Sequence, residues 1–224
     1  MNPISKDEVI SKIVEVVRLP LEEKGFSFCP KKKHCFERED SRGNIAVYNI
    51  ALSKKRGYFI LHLGLAVCNK PLLKKVNAVL LKAISDEEYP YHEGWDEKWI
   101  ANAIKQISKN DYLAGITDWK CFKGEDESLE EFNNRFGIWV CTFDDIEEIE
   151  NWKSQLLMSI EFAEKWFLTA AQNDEWIINN TEYTALYLLK EQGRFDELSK
   201  KYEAVLQQAR LKKEAELFYK HLLL

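Results

Sequence analysis

Between Leu19 and Val67 the chain spells out a helix end, a tight turn and a series of adjacent strands, and no other stretch constrains the fold as much. Residues 58–68 alternate strictly: Phe59, Leu61, Leu63, Leu65 and Val67 fall on one face, with Tyr58, Ile60, His62, Gly64 and Ala66 on the other. A period of two with one wholly apolar side is the signature of a strand packed on a core. Upstream, Ile45–Ser53 carries apolar residues on both faces, Tyr48, Ile50 and Leu52 on one and Ile45, Val47 and Ala51 on the other. Residues 34–39 form a third, shorter strand candidate. The clusters Asp40-Ser41-Arg42-Gly43-Asn44 and Lys54-Lys55-Arg56-Gly57 supply turn residues between them. Strands joined by such short turns make an antiparallel meander.

A helix precedes the meander. Ser5 with Glu8 three residues on is a capping box, and Val9, Ile10, Ile13, Val16, Val17 and Leu21 recur at helical spacing. Pro20 predicts an end or bend, and Gly25 a C-terminal stop. After the meander, Asn69 and Asp96 cap two further helices, and the stretch 85–95 reads as a loop rich in aromatics and acids. Residues 110–127 are poorly patterned, with Trp119–Phe122 a short strand candidate. A helix over 128–136 and a strand over 138–143 follow.

From Asp144 the composition turns helical, with one long stripe through Ile146, Ile149, Trp152, Leu156, Ile160, Ala163, Phe167 and Ala170. Helices over 181–192, 195–209 and 211–223 complete the tail. Gly193, Phe195, Leu198 and Tyr202 look like the middle of one tetratricopeptide hairpin, read here as a local helical hairpin because an array needs several stacked units. The expected fold is α+β: a helix on an antiparallel sheet over residues 1–143, then an all-helical region over 144–224.

Leu21-Glu-Glu-Lys-Gly25-Phe26 at the helix end, Phe36-Glu37-Arg38 in the first long strand, Leu52-Ser53-Lys54 in the next, and Phe59 through Leu63-Gly64 in the last form an ordered pattern. In these motifs the opening segment resembles the DUF4304 family of uncharacterised bacterial proteins. The resemblance covers about a quarter of the chain, implies an α+β fold, and brings no catalytic residues with it. Similar small families near toxin genes include immunity-type proteins, so the resemblance also implies a possible inhibitor of a toxin. The helical tail departs from the family pattern.

Composition narrows the function classes. A net charge of −5 does not suit a general nucleic-acid binder. No run of about eighteen apolar residues predicts a membrane span. The start Met1–Glu8 lacks the features of a signal peptide, so a cytoplasmic protein is expected. The five cysteines, Cys29, Cys35, Cys68, Cys121 and Cys141, are odd in number and scattered, which predicts reduced thiols. Cys29-x5-Cys35 beside His34 lacks the second ligand pair that zinc requires, so neither metal nor cofactor is expected.

Nucleophile elbows, zinc-protease motifs and glycine phosphate loops are absent. Two lone candidates remain for a small ligand or for acid–base work. One is a groove beside His62, lined by Tyr58 and Tyr48, against the simpler reading of a histidine covered by a helix. The other is the loop from His92 and Glu93 to Asp96, where Asp96 also has a capping task. The acidic runs Gly124–Glu131 and Asp144–Glu150 suit helix N-termini, or a basic partner. The function expected from all this is non-enzymatic protein binding, in the form of an inhibitor of a basic toxin. The alternatives are an enzyme or ligand binder at the His62 or His92 sites, and an oligomerisation role for the tail.

Overall fold

The computed structural model describes residues 4–29, 34–91, 95–117, 119–209 and 212–224. The chain is α+β: a helix, an antiparallel meander, then a mostly helical remainder. It divides into two compact units, each built from two segments: residues 1–67 with 115–169, and residues 68–114 with 170–224. The division is therefore interleaved, and differs from the single cut at 143–144 that the change in composition suggests. The long helix of the tail belongs with the sheet because its apolar stripe is part of that core.

In the first unit, α1 (Lys6–Glu23) opens on the expected capping box, with Ser5 Oγ accepting from the Glu8 N–H and Glu8 accepting from the Ser5 N–H. The helix does not stop at Pro20. It runs one turn further, because Leu21 beyond the proline is fully buried and anchors the last turn. Termination falls to Gly25, whose φ of +83° only glycine adopts without strain, while the Phe26 N–H returns to the Leu21 carbonyl.

The chain then enters β1 (Ser27–Cys29), β2 (Cys35–Glu39), β3 (Ile45–Lys55) and β4 (Tyr58–Cys68). The sheet order is β1-β2-β3-β4-β5, with β6 (Thr142–Phe143) antiparallel to β4. β5 (Tyr112–Ile116) straddles the division between units. The turn between β3 and β4 is tighter than expected. Only Arg56 (φ +52°) and Gly57 (φ +98°) lie outside the strands, the backbone of a type I′ hairpin. A two-residue turn opposes Lys55 to Tyr58 and, counting back, Ala51 to His62 and Tyr48 to Leu65. Arginine pays for that left-handed φ, so Arg56→Asn is expected to raise stability by about 0.5–1 kcal/mol, read as a higher denaturant midpoint at unchanged m-value.

On the core side, Phe59, Leu61, Leu63, Leu65 and Val67 are buried as expected, together with Tyr48, Ile50 and Leu52. α1 and α6 (Trp152–Thr169) pack on one another and contribute Val9, Ile13, Val17, Leu156, Ile160 and Ala163 to the buried set. Trp119–Phe122 is a 3₁₀ turn and not a strand. Its Trp119 indole donates to the Leu63 carbonyl at 3.3 Å, which ties the turn to the sheet. α4 (Leu129–Arg135) matches the expected helix, while residues 138–143 divide between α5 (Gly137–Val140) and the two residues of β6.

The second unit holds α2 (Lys70–Ile84), α3 (Glu97–Lys109), α7 (Asp174–Asn180), α8 (Tyr183–Glu191), α9 (Phe195–Gln208) and α10 (Lys212–Leu223). Asn69 and Asp96 cap α2 and α3 as read from the sequence. α8 and α9 form the helical hairpin, turning at Gly193 (φ +68°), and close on α2 and α10 through Leu186, Leu189, Leu198, Val205 and Phe218. Phe195, the first residue of α9, is exposed, whereas Leu198 one turn on is buried. Tyr202 instead stacks on Tyr219, ring centroids 3.9 Å apart.

Candidate functional site

Among the described residues, the sequence-derived candidates Tyr48, Tyr58 and His62 do not converge. Tyr48 is wholly buried, and its hydroxyl lies 2.7 Å from Ser159 Oγ on α6. Burial pushes its phenol well above the usual tyrosine range. It shares the core side with Ile50 and Leu52, so it cannot line a groove with His62 and Tyr58, which project from the opposite face of the sheet. His62 is exposed and makes no hydrogen bond or ion pair among the described residues, so the covered-histidine reading also fails. Nothing lies within 4 Å of a Cβ built at Gly64, two residues along the same face. The imidazole therefore stands exposed and without a partner among the described residues. His92 and Glu93 lie outside the described residues; the neighbouring Asp96 accepts from the Trp99 N–H as a helix cap.

Several carboxylates of the acidic runs are engaged within the fold. Glu127 takes a two-pronged ion pair from Arg135 at 2.7 Å and the Gly124 N–H, which hold its carboxyl down at about 2. Glu131 closes a capping box with Ser128. Asp145 and Glu147 both pair with Lys12 of α1, at 3.2 and 3.3 Å. Capping and internal pairing account for these carboxylates, so the surface they offer a basic partner is smaller than their number implies.

The concavity that the sequence did not reveal runs along the outer flank of α1. A groove of about 600 Å³ is lined by Ile10, Val14, Leu19 and Phe28 and edged by Asp7, Ser11, Glu15, Arg18 and His34. A second hollow of about 530 Å³ shares Arg18 and Phe28 and continues past Glu22 to Gly25 and Phe26. Helical geometry builds the wall. Asp7, Ser11, Val14 and Arg18 fall at three- and four-residue steps, one flank over from the core stripe Val9-Ile13-Val17. The opposite wall is Phe28 of β1 and His34, at the foot of β2.

The floor is apolar and the rim is charged. Leu19, on the far side of α1 from the core, is 67% exposed, a large value for leucine. Arg18 spans the middle, its guanidinium 5.8 Å from the Phe28 ring centre and paired with Glu22 at 2.8 Å. Among the described residues Asp7 and Glu15 form no ion pair. No group of three or more metal-ligating side chains occurs among the described residues, and no helix there is long and apolar enough to cross a membrane.

One further surface stands out in the second unit. α3 buries none of its side chains, and Trp95, Trp99 and Tyr112 around it are exposed. Its lysines (Lys98, Lys105 and Lys109) lie on the side opposite Ile100, Ala103 and Ile107. The Trp-rich character of this region was legible in the sequence. The α1 groove was not; its only advance signal was Leu19, an apolar residue out of phase with the helix's core stripe. Comparison of the chain with family models, with curated proteins and with solved structures finds no match.

Proposed function

We propose that this protein is a protein-binding module that takes an apolar, positively charged segment of its partner into the trough along α1. The observation that carries the reading is the trough itself: an open apolar floor with Leu19 displayed beside it, under a rim where Asp7 and Glu15 have no ion pair among the described residues. Apolar side chains seated in such a floor supply affinity through the area they remove from water. Basic residues flanking them would meet the two rim carboxylates and speed the encounter. An inhibitor of a basic toxin, in the manner of an immunity protein, is the concrete form of this chemistry. The elongated shape, with two hollows meeting at Arg18 and Phe28, suits a peptide or helix better than a compact small molecule.

The test is capture of partners from a bacterial lysate by the intact protein and by two variants, Leu19→Asp and Asp7→Asn/Glu15→Gln. These positions lie outside the core, so the fold should survive. Leu19→Asp is expected to weaken capture at least about tenfold, the effect of losing one well-seated apolar contact. The charge variant is expected to slow association and flatten its salt dependence. Equal capture by the wild type and both variants would refute the assignment.

A further inference from the structure

We infer that Cys29 and Cys35 are a redox pair: a dithiol that closes to a reversible disulfide across the β1–β2 hairpin. The two residues are direct partners in the antiparallel register, with Phe28 opposite Phe36 and Ser27 opposite Glu37 on the same ladder. Directly opposed residues in an antiparallel pair have Cα atoms about 4.5 or 5.5 Å apart, depending on the type of pair, and both values lie inside the range a disulfide spans. Opposed side chains also leave the same face of the sheet, so the two sulfurs point the same way. All five cysteines are free thiols in the structure.

The surroundings divide the labour between the two sulfurs. Cys29 is partly exposed, whereas Cys35 is buried to within 1%. Cys35 Sγ donates to Glu37 Oε1 at 3.7 Å, two residues along the same face of β2. An external disulfide, such as oxidised glutathione, is the oxidant. The Cys29 thiolate attacks one of its sulfurs, forming a mixed disulfide and expelling one glutathione thiolate. Cys35 then gives its proton towards Glu37, attacks the Cys29 sulfur and expels the second glutathione. Two protein thiols are oxidised, one external disulfide is reduced to two thiols, and the balance closes.

The consequence reaches the α1 trough. Phe28 and His34, the two residues that form its sheet-side wall, each immediately precede one of the cysteines. A covalent tie between positions 29 and 35 fixes the spacing of that wall, and its reduction releases it. The redox pair is independent of the peptide-binding reading, and would stand even if nothing binds in the trough.

The experiment incubates the intact protein with oxidised glutathione, alkylates the remaining thiols and maps disulfides by peptide mass. The expected product is a Cys29–Cys35 link, reversed by dithiothreitol, with a rise in Tm of about 5 °C for so short a loop. Cys35→Ser should stop at a glutathione adduct on Cys29. Cys29→Ser should take up glutathione at position 35 at least about tenfold more slowly. Glu37→Gln should let the Cys29 adduct accumulate several-fold before closure. Oxidation that links other cysteines, or that leaves positions 29 and 35 both alkylated, overturns the assignment, as does an adduct in Cys35→Ser at any position other than 29.

Discussion

Replacing Arg38 with alanine will destabilise the sheet unit by about 3 kcal/mol, with a fall in Tm of roughly 6–12 °C. Arg38 sits on β2 where three elements meet. Its Nη1 donates to the Lys24 carbonyl at the end of α1 at 2.8 Å and to Glu164 Oε2 on α6 at 3.0 Å, and its guanidinium stacks 4.5 Å from the centre of the Phe26 ring. The side chains of both ions are mostly buried, 28% exposed for Arg38 and 19% for Glu164. Truncation therefore does more than delete an ion pair. It leaves a C-terminal helix carbonyl and a carboxylate in a site with little water, and Glu164 Oε1 already makes no hydrogen bond among the described residues. Arg38→Lys keeps the charge but cannot stack flat on Phe26 while donating in two directions, so it should recover less than half of the loss. Adding Glu164→Gln to Arg38→Ala should restore about 1 kcal/mol or more by removing the stranded charge. Equal stability of Arg38→Ala and wild type in urea, or no recovery in the double variant, would refute this account.

Arg38 also shows how much of the fold could be read from the sequence. The segment Leu21…Gly25-Phe26 and the triplet Phe36-Glu37-Arg38 were recognisable as spaced patterns because each has a local cause. Gly25 must adopt a positive φ, and Phe36 must face the core. Their meeting was not legible, because it depends on the hairpin register that brings β2 back across the end of α1. A Cβ built at Gly25 would stand 3.5 Å from Arg38 Cδ, an ordinary contact, so it is the positive φ at the helix end that calls for glycine there.

Tyr48 failed as a site residue for a related reason. Its parity on β3 matches Ile50 and Leu52, and a two-residue turn at Arg56-Gly57 opposes it to Leu65 of the core face. Read as a longer turn, the same sequence leaves its side of the sheet open to choice. β5 was missed because Leu113-Ala114-Gly115 has little β-propensity of its own, and only pairing makes it a strand. Residues 138–143 turned out to be half helix because Gly137 follows directly on α4, and Ile138 packs with its N–H on Gln155 Oε1 at 2.9 Å. The trough escaped notice because it is made by the flank of a helix and two residues of another element, with no motif in either.

Above pH 10 the protein will lose stability steeply, and the three tyrosines shifted furthest upward, Tyr48, Tyr89 and Tyr183, lead the loss. Burial pushes the phenols of Tyr48, Tyr89 and Tyr183 well above the ordinary range. Glu214 raises the latter two further, because both hydroxyls donate to its carboxylate, Tyr183 at 2.9 Å. In the unfolded chain each phenol ionises near pH 10; in the folded protein each keeps its proton to higher pH. The folded state then holds more protons than the unfolded one, so stability is fully present below pH 10 and falls as the pH rises towards the folded values. A fully buried phenol contributes up to about 1.4 kcal/mol per pH unit in that window. Tyr48 should act at that strength, and the partly exposed Tyr183 and Tyr89 at less. Tyr48 lies in the first unit and the Glu214 pair in the second. Urea midpoints between pH 9 and 11.5 measure the effect. Tyr48→Phe gives up the bond to Ser159 at neutral pH, yet Ser159 Oγ still donates to the Leu156 carbonyl at 2.6 Å, so the loss there should stay near 1 kcal/mol. In exchange its alkaline limb should flatten by about one proton's worth of slope. A variant with unchanged slope between pH 10 and 11.5 would show that this phenol ionises in place, and that the site under α6 is wetter than its burial implies.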